Sequence, residues 1–455
     1  MDQTGQPGPA NWRVGDYPEG QADYPVSGVS WYEAAAYAEF VGKSLPTTTH
    51  WGIARGEYTP LVQNPFYSFL APLSNFGKGA APVGSSPGIT PYGAYDMAGN
   101  VREWCWNESP DGRIIRGGAW NDAPYMFQEL SQALPFDRSS RNGFRCVLYL
   151  DAGKIPKSTF QLVKLPESPD FYKQKPVSNS IFEVYKEQFS YDQTDLNARV
   201  DWRNESSKDW IQEKVSFNAA YENERVIAYL FLPRRGSPPY QTVIYFPGIQ
   251  VVEQRSSKDL EKDFYFDNHL SFVIKNGRAV LFPLYKGTFE RSNDALTHIL
   301  QDWSTRQYGE ILIKGIKDFK RSIDYLETRP DIDGMRLAYT GFSWGADNGA
   351  IIPAVENRLK ASVLYNGGMV TQRPEVDPMN YVTRVKIPTL MVNGKYDMII
   401  PYETSAKPMF DLLGTPKEQK EQKLYDSDHF IPRNELIKET LNWLDRYLGP
   451  VKRNE

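Results

Sequence analysis

The chain has 455 residues, 24% of them charged, with 52 Lys and Arg against 56 Asp and Glu, a formal net charge of −4 and a pI near 5.8. That length exceeds what one hydrophobic core usually supports, so two domains are expected, and the acidic balance excludes nucleic-acid binding by bulk electrostatics. The absence of an apolar run of ~18 residues and of a signal-like N-terminal segment predicts a cytoplasmic chain with no membrane partner, and having only Cys105 and Cys146 excludes a disulfide scaffold and a zinc site, with a single bridge between the two left open.

The first 150 residues are dense in glycine, tryptophan and tyrosine and short of long helical patterns. One helix is predicted over Trp31–Ala38, where Ser30 and Glu33 have the spacing of a capping box. It is followed by Gly42–Thr47, the tract Tyr92–Trp104 with Gly99-Asn100-Val101-Arg102-Glu103 near its end, Arg116-Gly117-Gly118-Ala119-Trp120, and Asn142-Gly143-Phe144-Arg145-Cys146. As a set these tracts resemble the formylglycine-generating-enzyme (sulfatase-modifying factor) family. The resemblance implies a small, irregular α+β domain of C-type-lectin-like fold over residues 1–150.

Active members of that family carry two cysteines soon after the Arg-Gly-Gly motif, where copper-dependent oxidation takes place, whereas Ala119 to Arg145 here contains none. The resemblance therefore implies a non-catalytic domain, shortened at its N-terminus, and in bacteria a place downstream of a serine/threonine kinase domain. It also implies a structural calcium, with Asn100 and Glu103 nearest such a site. Their other reading is as buried hydrogen-bonding residues, and no metal ligand is assigned. Trp104 and Trp120 read as core residues before sugar-stacking ones.

From Asp151 to Val177 Pro, Lys and Ser recur without a period, the signature of an extended linker. A helix is expected over Ile181–Phe189. Val215, Phe217 and Ala219 then alternate, and Val226–Leu232 forms a second strand past the turn at Tyr221–Glu224. Strands follow at Thr242–Phe246 and Ala279–Pro283, and the loop Tyr285–Arg291 is either a pocket wall or a packed surface loop. Leu312, Ile316, Phe319, Ile323 and Leu326 recur at helical spacing. Buried strands of a mostly parallel sheet are expected at Ala361–Leu364, Thr389–Val392 and Lys423–Tyr425, with a last helix over Leu436–Leu448 and a solvated charge run over Lys417–Lys423.

Between the helix ending at Arg329-Pro330 and the strand Ala361–Leu364 stands Arg336–Ala346, an apolar strand entering Gly341-Phe342-Ser343-Trp344-Gly345. A serine on a sharp strand-to-helix turn favours glycine at both flanks, because a side chain there meets neighbouring backbone. Ser343 is the candidate nucleophile. Only His429 of the four histidines fits the order Ser, Asp, His, and Asp397 in the turn after Thr389–Val392 is the candidate acid, with Asp426 and Asp428 as weaker alternatives. The oxyanion donors are expected to be the backbone N–H groups of Trp344 and of Ile249, in Pro247-Gly248-Ile249-Gln250.

Residues from about Lys214 to Pro450 resemble α/β-hydrolases of the esterase and dipeptidyl-peptidase-like group, which implies an α/β-hydrolase domain over 178–455. The usual His-Gly of the oxyanion loop is Pro247-Gly248 here. The expectation is a serine esterase acting on a small-molecule ester through an acyl-enzyme, with no cofactor required. A peptidase would need a recognisable site for a peptide terminus, such as a paired-glutamate loop. The third reading, a ligand-binding module with a vestigial hydrolase half, sits poorly with an intact Ser, Asp, His order.

Overall fold

The computed structural model describes residues 1–56, 70, 73–77, 79–122, 127, 130–164, 169–300, 302–395, 397, 399–427 and 429–451. The chain divides into two compact units, Met1–Glu167 and Ser168–Glu455.

In the first unit, helix α1 (Trp31–Phe40) starts where the sequence places it. The Ser30 side chain accepts from the Glu33 N–H, and the Glu33 carboxylate accepts from the Ser30 N–H at 2.8 Å. A second helix, α2 (Thr48–Arg55), has no counterpart in the sequence reading. Its signal is local, namely the Thr47 side chain capping the His50 N–H, with Gly56 at φ 98° closing the last turn.

Strands β1 (Arg102–Ser109), β2 (Gly112–Arg116), β3 (Ser131–Ala133) and β4 (Asn142–Gly143) form one small sheet in the order β3-β2-β1-β4. The core beneath it is built from indoles whose N–H groups find partners inside. Trp104 donates to Val29 O at 2.9 Å, Trp31 to Cys105 O at 2.7 Å, and Trp51 to Glu103 Oε2 at 2.7 Å. Burying a large ring with one polar atom costs least when that atom is bonded. Both cysteines are free thiols, so the bridge left open in the sequence is not formed.

The stretch 151–177, read in the sequence as a linker, carries ordered contacts at both ends. Asn107 Nδ2 donates to Thr159 O and Gln161 O at 2.9 Å each, and Val163 N–H donates to Glu108 O at 2.8 Å, which lays the first part along β1. In the second unit Phe171 is buried in the core and Val177 N–H donates to Asn380 Oδ1 at 2.9 Å.

The second unit opens with helix α3 (Asn179–Glu187) and strand β5 (Arg199–Asn204), then the hairpin β6 (Trp210–Asn218) and β7 (Arg225–Pro233). Strands β8 (Tyr240–Phe246), β9 (Ala279–Leu284), β10 (Ile332–Phe342), β11 (Leu359–Tyr365), β12 (Thr389–Gly394) and β13 (Lys420–Tyr425) complete a nine-stranded sheet, in the order β13-β12-β11-β10-β8-β9-β7-β6-β5. From β13 to β9 all pairs are parallel, and β7, β6 and β5 join antiparallel. The central strands are apolar on both faces because helices cover both.

Side chains alternate between two cores. Ile244, Phe246, Leu337 and Tyr339 face one side, with Leu312, Ile316, Phe319 and Ile323 of helix α5 (Arg306–Glu327). Val243, Tyr245, Ala338 and Val363 face the other, with helix α4 (Phe272–Asn276) and with Leu436, Trp443, Leu444 and Leu448 of helix α7 (Arg433–Leu448). Each large side chain buried this way stabilises the fold by about 1.5–3 kcal/mol relative to exposure.

The charge run Lys417–Lys423 differs from its expectation. Its second half begins β13, which extends from Lys420 rather than from Lys423. This strand is the sheet edge and is only half-buried, so its alternating Lys and Glu side chains stay solvated while the backbone pairs with β12, and they also blunt the edge against further pairing. No helix among the described residues is long and apolar enough to cross a membrane.

Candidate active site

Ser343 stands between the end of β10 and the short helix α6 (Trp344–Asn348), at φ 51° and ψ −116°, a backbone conformation that L side chains rarely adopt. Neighbours over-determine it. The Ser343 N–H donates to Tyr365 O at the end of β11 at 2.9 Å, and Ser343 O accepts from the Asp347 N–H at 2.9 Å. The flanking glycines are sterically required. A Cβ on Gly341 would overlap the Gly345 carbonyl, and a Cβ on Gly345 would overlap the Phe246 carbonyl at the end of β8.

Asp397 follows β12 and His429 follows β13. The Asp397 Oδ2 lies 2.7 Å from His429 Nδ1. Three further groups hold the carboxylate: Ile399 N–H and Ile400 N–H on Oδ1 at 2.9 Å each, and Asn366 Nδ2 on Oδ2 at 3.2 Å. An acceptor-only carboxylate bonded to Nδ1 fixes the neutral imidazole with its hydrogen on that nitrogen, leaving Nε2 as the basic site. Asp426, one alternative acid, is exposed and pairs with Lys395 Nζ at 3.5 Å instead. Asp428, the other, lies outside the described residues.

His429 packs on Phe342, the residue immediately before Ser343, with ring centroids 5.2 Å apart. Among the described residues no hydrogen bond joins Ser343 Oγ to His429, and in an unliganded site such nucleophile-to-base contacts are commonly long. Ser343, Asp397 and His429 are 8%, 3% and 6% exposed, so all three sit where bulk water weakens electrostatics little.

Trp344 and Ile249 share one backbone feature. Each is the first residue of a helical turn, Trp344 of α6 and Ile249 of the 3-10 turn Ile249–Val252, so neither N–H has a partner within its own turn. The Trp344 indole is anchored by its N–H on Tyr308 OH at 3.0 Å and by edge-on packing against Phe246. That fixes the backbone on the nucleophile side.

Three residues around the site were not legible in the sequence. Asn366, at φ 53°, holds Asp397 from the end of β11. His269 is fully buried, its ring 4.5 Å from Phe342 and 5.3 Å from Tyr365, with Nδ1 3.1 Å from Tyr245 OH. Burial, with a smaller effect from His429, lowers its pKa to about 3, so it is neutral. Asp347 accepts the Gly368 N–H at 2.9 Å, and burial pushes its carboxyl well above the usual range against that bond.

The loop Tyr285–Arg291 resolves in favour of packing. Phe289 is buried at φ 47°, and the Arg291 side chain packs inward against Asp318 and Tyr221 with 6% of it exposed.

In the first unit the two candidate calcium residues do not fit a cation. Glu103 is bonded by the Arg145 guanidinium through both oxygens and by Trp51, and Asn100 is engaged with Ala81 and Asn75. A guanidinium already neutralises the Glu103 carboxylate. Among the described residues no cluster of three His, Cys, Asp or Glu side chains is placed to hold a metal.

The fold and the site define a domain of α/β-hydrolase architecture, joined to a small indole-cored α+β domain. A sulfatase-modifying factor enzyme 1-like domain matches residues 3–150, and a PET hydrolase-like domain matches residues 319–455, which include Ser343, Asp397 and His429. Over 150 residues the chain is 38% identical to serine/threonine-protein kinase pkn1 of Chlamydia pneumoniae, a match covering 28% of this chain and 24% of the kinase. The chain thus spans about a quarter of the length of that relative. It is 33% identical over 161 residues to inactive C-alpha-formylglycine-generating enzyme 2 of Bos taurus, covering 30% of this chain and 52% of that protein. Among solved structures, the acetyl xylan esterase from Paenibacillus sp. R4 aligns with TM-score 0.47 and 16% identity, over 61% of this chain and 98% of that one. The glucuronoyl esterase from Solibacter usitatus aligns with TM-score 0.41 and 12% identity, over 58% and 90%.

Proposed function

We propose that the protein hydrolyses carboxylic esters through an acyl-enzyme on Ser343. Ser343 Oγ attacks the ester carbonyl carbon as His429 Nε2 takes its proton, help worth ~10²–10⁴-fold when the base is positioned. The tetrahedral oxyanion is held by the N–H groups of Trp344 and Ile249, each such donor contributing about 3–4 kcal/mol in comparable sites. His429 then returns the proton to the departing alcohol as its C–O bond breaks. Water repeats the cycle on the acyl-enzyme. Asp397 keeps the imidazole in the required tautomer and stabilises the imidazolium.

The observation that carries this reading is the 2.7 Å bond from Asp397 to His429 Nδ1, beside a serine held at φ 51°. In the same reading the first domain is a non-catalytic module, since no cysteine lies between Ala119 and Arg145.

The test is hydrolysis of p-nitrophenyl esters from acetate to octanoate, with an aminoacyl p-nitroanilide, by wild type and Ser343→Ala. Ester turnover abolished in the variant supports the proposal. Preferred cleavage of the anilide replaces it with a peptidase. No turnover of any substrate, together with no labelling by a fluorophosphonate probe, removes the nucleophile assignment.

A further inference from the structure

The second unit contains a cavity of about 700 Å³ whose described lining includes none of Ser343, Asp397 and His429. Two helices and a turn build it. Arg433, Ile437 and Leu441 recur every four residues along α7, Phe272, Lys275 and Asn276 line it from α4, and Arg234–Gly236 closes it from the turn after β7. The volume falls within the range of small-molecule sites.

Its charge is one-sided. Arg234, Arg235, Lys275 and Arg433 line the cavity and none of its described lining residues carries a carboxylate, in a chain whose net charge is −4. Arg234 is held by two backbone carbonyls, Ser207 O at 2.8 Å and Glu205 O at 2.6 Å, which orient the guanidinium without neutralising it. Among the described residues no carboxylate lies within ion-pair distance of Arg234, Arg235 or Lys275. Arg433 has a partner in Asp267 at 3.3 Å, a half-exposed pair of little strength. Like charges gathered without counter-charges repel one another, and an anion between them relieves that repulsion.

The rest of the wall is apolar. Phe272 is buried, and Ile437 and Leu441 are half-buried at the margin of the core that they share with it, so the apolar wall of the cavity is the edge of that core. A cationic rim over an aliphatic and aromatic wall matches a molecule with one anionic head and a short apolar body. We propose that this cavity binds a soluble anionic amphiphile, its phosphate or carboxylate held by Arg235, Lys275 and Arg234 and its chain lying on Phe272, Ile437 and Leu441. The proposal is independent of the esterase reading.

The test is calorimetric titration of the full chain with octyl phosphate, ethyl phosphate, inorganic phosphate and octyl glucoside, using wild type and the double variant Arg235→Gln/Lys275→Gln. Neither residue makes a hydrogen bond or ion pair that the fold depends on among the described residues, and circular dichroism with ester turnover checks folding. The expected result is saturable binding of octyl phosphate, at least tenfold weaker binding of ethyl and inorganic phosphate and of octyl glucoside, and at least a tenfold loss in the double variant that grows smaller at high salt. Equal affinity for octyl glucoside overturns the anionic head, and equal affinity for inorganic phosphate overturns the apolar body. An unchanged double variant overturns the location. Co-sedimentation with phosphatidylglycerol vesicles without binding of octyl phosphate replaces the soluble ligand with a membrane surface.

Discussion

Replacing Gly345 by alanine puts one methyl group between the two segments that carry the proposed oxyanion donors. The new Cβ would stand 2.6 Å from the Phe246 carbonyl carbon and 3.0 Å from Pro247 O, and would overlap Phe246 O outright. Ordinary carbon-to-oxygen contacts begin near ~3.3 Å, so α6 and the end of β8 must separate by roughly 1–1.5 Å. Trp344 N–H rides on one side of that wedge and Ile249 N–H, three residues past Phe246, on the other. A shift of this size is expected to lower kcat on p-nitrophenyl butyrate by ~10²–10³-fold, the scale for losing one donor, while overpacking lowers stability by about 1–3 kcal/mol. The comparison is Gly334→Ala on β10, where the added Cβ meets nothing closer than Glu327 Cγ at 3.7 Å and activity should be unchanged. Steady-state kinetics and thermal melts of both variants decide the matter. A Gly345→Ala enzyme within threefold of wild-type kcat would refute the steric account of the G-x-S-x-G turn.

Asp397→Asn keeps an acceptor for the Ile399 and Ile400 N–H groups but no longer favours the tautomer with hydrogen on Nδ1, so kcat should fall by ~10²–10⁴-fold with little loss of melting temperature. Retention of near wild-type kcat would remove Asp397 from the mechanism. His269, with a folded pKa of about 3 against an ordinary 6.5, leaves the extra proton to the unfolded chain between those values. Its contribution to stability is therefore complete above pH 6.5 and is lost progressively as pH falls toward 3. His269→Gln should flatten the slope of unfolding free energy between pH 6 and 4 by up to about 1.4 kcal/mol per pH unit, measured by urea denaturation, and an unchanged slope would show another group responsible. Gly315→Ala, inside α5 with its Cβ an ordinary 3.8 Å from Tyr285 Cβ, should stabilise the chain by about 0.5–1 kcal/mol through lost unfolded-state entropy; destabilisation would mean that the α5 contact with Tyr285 tolerates no methyl group.

The amino-acid sequence by itself determined what depends on neighbours along the chain. Apolar runs of strand length announced β8, β11 and β12, a 3.6-residue period announced α5, and Ser30 with Glu33 announced the start of α1. The turn around Ser343 was equally legible, because the need for glycine at 341 and 345 is a local steric demand that leaves a five-residue trace. The missing cysteines between Ala119 and Arg145 needed no structure at all. Tertiary structure alone decided which groups meet. Asp397 rather than Asp426 bonds His429 across 32 positions, Asn366 reaches Asp397 across 31, and His269 lies between Phe342 and Tyr365 from a helix far upstream. Asp397 and His429 could be picked out by their order after Ser343, but a lone Asn or His such as Asn366 or His269 carries no periodicity, and nothing along the chain singles these two out until the parallel sheet brings the ends of β10, β11, β12 and β13 side by side. The same holds for the cationic cavity. Arg234, Lys275 and Arg433 are scattered over some two hundred positions, and only the packing of α4 and α7 against the sheet gathers their charges in one place.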